Sequence, residues 1–133
     1  NKIIQAIGTL TVDRYDFNKN IEDTNQIIRS VDKGKSIAIF PEGTFSYAVG
    51  LRNFKLGAFK IAAQTSSTVC PIAIKGTRSL FRGNHPLLCP GLIHVYIGKC
   101  IMPKDKDWEE IARLHTKAKK FIADNCGEPV IEA

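Results

Sequence analysis

Two short runs, residues 36–40 (SIAIF) and 69–75 (VCPIAIK), are apolar at most positions, and a segment of helical period lies between them. A strand that is apolar on both faces has to be covered on both faces. The common way to do that is to place it in a sheet flanked by helices. The same alternation extends outward in both directions. Residues 8–12 (GTLTV) read as a further strand, and 20–33 place Ile21, Thr24, Ile28 and Val31 at helical spacing, with Ile27 beside them and Gly34 as the stop. Residues 57–65 (GAFKIAAQT) resume a helix, and 92–101 (LIHVYIGKCI) form another strand. Residues 107–125 are the clearest helix, with Trp108, Ile111, His115, Ala118 and Ile122 in 3-4-3-4 spacing, Asp105 or Asp107 as the cap and Gly127 as the end. Strand and helix in this order predict an α/β fold, a largely parallel sheet flanked by helices, in a single domain over residues 1–133.

Irregular segments interrupt the pattern at two places. Residues 41–56 contain Gly43 and Gly50 and few helix formers, and 76–91 hold three of the ten glycines and two of the six prolines. The second is expected as a surface excursion with one helical turn at 77–81. Pro71 implies that its strand lies at an edge or starts there, because proline cannot donate to a ladder. With 133 residues, 44% hydrophobic and 24% charged, the chain has the size and mix for a real core, which excludes a disordered tail or a disulfide miniprotein. Its apolar stretches fall well short of the roughly 20 residues of a spanning helix.

Charge is distributed unevenly along the chain. Residues 1–42 balance six basic groups against six acidic ones, and 105–133 carry five against seven. Residues 43–104 hold eight basic groups (Arg52, Lys55, Lys60, Lys75, Arg78, Arg82, Lys99 and Lys104) and no carboxylate. Solvated surfaces normally mix signs, so a one-sided segment points to an anionic partner: phosphate, nucleic acid or an anionic membrane surface. No aromatic-interleaved basic strand, helix-turn-helix pattern or zinc spacing supports nucleic acid, and none is expected as a partner. The four cysteines, Cys70, Cys89, Cys100 and Cys126, form no CxxC pair, match no metal-ligand spacing and read as reduced, buried thiols; no metal site is expected.

The segment Phe40-Pro41-Glu42-Gly43-Thr44 leaves the end of a buried strand. In open α/β sheets ligands bind beyond the carboxyl ends of strands, so a carboxylate followed by glycine there is a site candidate. A plain turn, with Glu42 solvated and Gly43 bending the chain, satisfies the spacing equally well.

The wider segment, residues 40–46 (FPEGTFS), resembles the FPEGTRS signature of the glycerolipid acyltransferases typified by 1-acylglycerol-3-phosphate acyltransferase. Three further blocks follow that family's order: 8–14 (GTLTVDR), similar to its upstream glycine-to-arginine block; 54–59 (FKLGAF), similar to FKxGAF; and 69–74 (VCPIAI), similar to VxPVxI. The resemblance covers about residues 8–101. It implies transfer of a fatty acyl group from acyl-CoA or acyl-carrier protein to a hydroxyl of a lysophospholipid, at the cytoplasmic face of a membrane and without a metal or tightly held cofactor. A non-catalytic domain of the same fold that binds anionic lipid is the alternative.

The resemblance also implies roles for particular residues. Glu42 corresponds to the family glutamate, which either hydrogen-bonds acceptor hydroxyls or holds the loop in shape. Arg14 corresponds to the arginine that holds the acceptor phosphate, a task suited to its rigid fork of donors. Gly43 and Thr44 are expected to offer backbone or hydroxyl donors to phosphate or to the developing oxyanion. Phe45 stands where the family has arginine, and Lys55 or Arg52 is expected to compensate. The family's general base is the histidine of an HxxxxD motif. Five residues beyond His85, His94 and His115 stand Pro90, Lys99 and Lys120, so this chain lacks the motif. The expectation is that the catalytic first part precedes Asn1 and that residues 1–133 are the C-terminal portion of an acyltransferase domain, inactive alone.

Overall fold

The computed structural model describes residues 17–43, 49–80 and 89–131, and the side chains from residue 23 onward within the first of these stretches. The chain divides into two compact units, residues 1–38 and 39–133. The first contains α1, Phe17–Asp32. Its interior stripe is the expected one, with Ile27 buried and Thr24, Ile28 and Val31 half-buried. The helix ends in a Schellman motif: Gly34 takes φ of +77°, its N–H donates to the Val31 carbonyl at 2.8 Å, and the Lys35 N–H donates to Ser30 at 3.1 Å. That left-handed turn is why the stop is a glycine.

The second unit contains α2 (Gly57–Gln64), β1 (Ile72–Lys75), the single turn α3 (Thr77–Leu80), β2 (His94–Ile97) and α4 (Trp108–Cys126). β1 and β2 pair antiparallel, with Ile72 opposite Ile97, Ala73 opposite Tyr96, Ile74 opposite Val95 and Lys75 opposite His94. The expectation of a largely parallel sheet therefore does not describe this pair. A parallel return needs a crossover long enough to carry the chain back along the sheet. The connection over 76–93 includes, among the described residues, only the one-turn α3. Residues 36–40 form no strand and have no strand partner among the described residues, and Ile39 and Phe40 are exposed. Residues 8–12 lie outside the described residues.

Beyond β1 and β2 the ladder continues through a bulge. Val69 and Ile101 exchange both backbone hydrogen bonds, at 2.9 and 2.8 Å, and the Gly98 N–H donates to the Pro71 carbonyl at 2.9 Å. Between Val69–Ile101 and Ile72–Ile97, residues 98–100 on one strand oppose only 70–71 on the other. Pro71 thus sits at an irregularity where its missing N–H leaves no gap in the ladder.

α4 covers β1 and α2. Ile111, Leu114 and Ala118 are buried on its inner stripe, against Phe54, Phe59, Ala63 and Ala73. His115 is half-buried, its ring edge-on to Phe54 and Phe59 at centroid distances of 6.2 and 5.3 Å, as expected of a packed histidine. Trp108, expected on the stripe, is 66% exposed and lies outside the core cluster, which the helix enters only at Ile111. Asp107 caps that turn by accepting the Glu110 N–H at 2.7 Å, and Gly127 closes the helix with φ of +72°. The outer face of the sheet, Ile72 and Ile74 beside Ile97 and Val95, is exposed.

The four cysteines are free thiols as expected, but they are not all buried. Cys126 is buried, Cys89 is intermediate, and Cys70 and Cys100 are exposed. Val69 and Ile101 turn inward to the core, so their neighbours on the pleated ladder turn outward.

Candidate functional site

Pro41, Glu42 and Gly43 form a tight turn closed by the Gly43 N–H, which donates to the Phe40 carbonyl at 3.0 Å. Gly43 has φ of +72°, and a Cβ there would stand 3.3 Å from Cγ of Lys55. Both facts favour glycine at this position. The turn is fastened to residues 52–55 by two bonds. The Lys55 N–H donates to the Pro41 carbonyl at 2.7 Å, and the Arg52 N–H donates to Oε2 of Glu42 at 3.1 Å. Glu42 is half-buried, and its Oε1 has no partner among the described residues.

Residues 50–54 are in turn anchored from two directions. Phe54 is buried under α4, and Asn53 accepts a hydrogen bond from Nζ of Lys119 on that helix at 2.9 Å. Leu51 makes a parallel bridge to Val130, with its N–H donating to Pro129 at 2.8 Å and its carbonyl accepting from Ile131 at 2.9 Å. Glu128 adds a clamp: Oε2 accepts the Gly50 N–H at 3.1 Å, and Oε1 pairs with Nε of Arg78 at 2.9 Å. Gly50 has φ of +120°, and a Cβ would meet Ile131 at 2.5 Å and the Pro129 carbonyl at 2.9 Å, so residues 129–131 can approach only a glycine.

Of the residues singled out from sequence, the structure brings together Glu42, Gly43 and Lys55, with the exposed Arg52 beside them. Arg14, Thr44 and Phe45 lie outside the described residues, as does Arg82. Arg78 belongs to the Glu128 clamp. Glu128 itself carried no sequence signal, since the contact it makes with Gly50 spans 78 positions. Chemically, the turn offers a carboxylate oxygen able to accept from a hydroxyl, next to two residues, Arg52 and Lys55, whose side chains are cationic and exposed.

A second feature is an open groove of about 620 Å³ whose lining includes Lys99, Lys104, Arg113 and Lys117 together with Met102 and Phe121. Arg113 is committed to Glu110, a buried carboxylate that the sequence presents as an ordinary surface charge of the first helical turn. Nε and Nη2 of Arg113 donate to its two oxygens at 2.7 and 2.5 Å, and the Lys104 N–H donates to Oε1 at 3.0 Å. The bidentate guanidinium, helped by the Lys104 amide, outweighs burial and lowers the Glu110 pKa to about 2.

A buried helix-on-strand core and a glutamate-glycine turn fastened to a downstream FKLGAF segment define a domain of the acyltransferase kind. The general acyltransferase family profile matches residues 1–75, and the chain belongs to that family. It is 35% identical over 105 residues to the chloroplastic 1-acyl-sn-glycerol-3-phosphate acyltransferase of Brassica napus, covering 78% of this chain and 30% of that protein. It is 29% identical over 124 residues to the 1-acyl-sn-glycerol-3-phosphate acyltransferase of Saccharomyces cerevisiae, covering 91% and 41%. The crystal structure of the 1-acyl-sn-glycerophosphate acyltransferase of Thermotoga maritima superimposes with a TM-score of 0.66 at 24% identity, over 80% of this chain and 45% of that one. The chain thus spans less than half the length of each of these relatives.

Proposed function

We propose that this chain forms part of an enzyme that transfers a fatty acyl group from acyl-CoA or acyl-carrier protein to a hydroxyl of a lysophospholipid such as 1-acylglycerol-3-phosphate. The observation that carries this reading is the Pro41–Gly43 turn, locked to the Arg52 and Lys55 amides in a chain whose relatives are named for acylating 1-acylglycerol-3-phosphate. In this reading the chain supplies the acceptor pocket. Oε1 of Glu42 accepts from a glycerol hydroxyl while Oε2 holds the loop, so that one carboxylate performs both roles. Lys55 on the rim, with Arg14 and Thr44 from outside the described residues, meets the acceptor phosphate. The general base is a histidine supplied by other parts of the enzyme, because none of the three histidines here stands in an HxxxxD motif. No step calls for a metal or a tightly held cofactor.

Glu42→Gln in the full-length enzyme keeps an oxygen for the Arg52 amide and removes the charge. It is expected to lower kcat/KM for lysophosphatidate acylation by on the order of tenfold or more, the scale of a hydrogen bond to a charged group. Wild-type kinetics in this variant would remove Glu42 from the site.

The lysine-rich groove, with exposed Met102 and Trp108 nearby in sequence, supports a working position against an anionic membrane surface, which we place at the cytoplasmic face. No helix among the described residues is long and apolar enough to cross a membrane.

A further inference from the structure

We infer that Cys70 and Cys100 form a dithiol modification site that a small anionic disulfide, such as glutathione disulfide, oxidises to an intramolecular disulfide. The backbone puts the two cysteines opposite each other. Val69 and Ile101 are a doubly hydrogen-bonded antiparallel pair, so the next position along the ladder is a non-hydrogen-bonded one, occupied by Cys70 against the bulged segment that ends in Cys100. At such positions Cα atoms stand about 4.5 Å apart, inside the range of roughly 4.4–6.8 Å that a disulfide spans. Both side chains are exposed, and reagent reaches them without unfolding.

The thiols already interact. Sγ of Cys70 donates to the Gly98 carbonyl at 3.7 Å, and the neighbouring Cys100 thiol, with a contribution from burial, raises the Cys70 pKa above the ordinary thiol value. Cys70 is therefore the poorer first nucleophile. Cys100 lines the groove that also presents Lys99, Lys104 and Lys117, cations that gather an anionic disulfide beside it. The Cys100 thiolate attacks one sulfur of the reagent, the reagent's S–S bond breaks, and one glutathione thiolate leaves and takes up a proton. Cys70, as thiolate, then attacks the mixed disulfide at Cys100 and releases the second glutathione. Two protein thiols are oxidised to one disulfide while the reagent is reduced to two thiols. The product staples the lead-in of β1 to the tail of β2 across the bulge.

The test equilibrates the native full-length protein with glutathione and glutathione disulfide at graded ratios, traps thiols by alkylation and maps tryptic peptides. Peptides 61–75 and 100–104 are expected to appear joined, in a transition that neither Cys89 nor Cys126 follows, with the melting temperature raised by roughly 10 °C. Cys70→Ser and Cys100→Ser, both at exposed positions, are each expected to replace the joined peptides with a glutathione adduct on the remaining cysteine. Separate adducts on Cys70 and Cys100 of the wild-type protein, without the joined peptides, would overturn the inference.

Discussion

Glu110 shows how one side chain can be legible as a residue and illegible as a role. The spacing Asp107-x-x-Glu110 marks a helix start, and Asp107 does cap α4. The glutamate's own oxygens, however, go to Arg113 and to the Lys104 amide, and its side chain is buried. Because its pKa falls from 4.5 to about 2 on folding, the unfolded chain binds more protons than the folded one between those values. Stability is therefore complete above about pH 5 and declines as pH falls toward 2. Urea titrations at pH 6 and pH 3 are expected to show that loss, and Glu110→Gln is expected to flatten it. Equal pH slopes in the two proteins would contradict the assignment. Glu42 was legible in the same partial way. The motif located it, and only the fold shows that Oε2 bonds an amide ten positions downstream.

At the scale of elements, helices were easier to read than strands. α1, α2 and α4 lie within three residues of the periodic segments at each end, because a helix satisfies its own backbone and needs only one apolar stripe. A strand needs a partner, and the apolar run at 36–40 has none among the described residues. α4 is the element on which the second unit depends. Leu114 is fully buried against β1 and α2, and Leu114→Ala is expected to cost about 2–5 kcal/mol of unfolding free energy, read from the urea midpoint. Gly76 is the hinge of the antiparallel pair. It has φ of +97°, and a Cβ there would collide with the Leu92 carbonyl. Gly76→Ala is expected to destabilise by about 1–3 kcal/mol, whereas a neutral result would mean that the excursion can reroute.

Over the whole molecule, four of the eight basic residues in the carboxylate-free stretch from 43 to 104 gather at two places. Arg52 and Lys55 border the Glu42 turn, and Lys99 and Lys104 join Lys117 in the groove. If the groove meets an anionic membrane, replacing Lys99, Lys104 and Lys117 by glutamate is expected to weaken binding to phosphatidic-acid vesicles by on the order of a hundredfold or more, with a shallower salt dependence. Cosedimentation across a salt series measures this, and unchanged binding would detach the groove from the membrane.

The local chemistry belongs to the sequence alone: three helices, the Asp107 cap of α4, the glycine stops at 34 and 127, the four ordered blocks and the family they indicate. These depend on residues a few positions apart, where spacing is itself geometry. Tertiary structure decided what depends on distant partners. It paired β1 with β2 antiparallel, turned Cys70 and Cys100 outward, buried Glu110 with Arg113, and brought Glu128 across 78 positions to clamp Gly50 behind the Glu42 turn. Such contacts are selected by packing and by the need to satisfy buried polar groups, which no local pattern records.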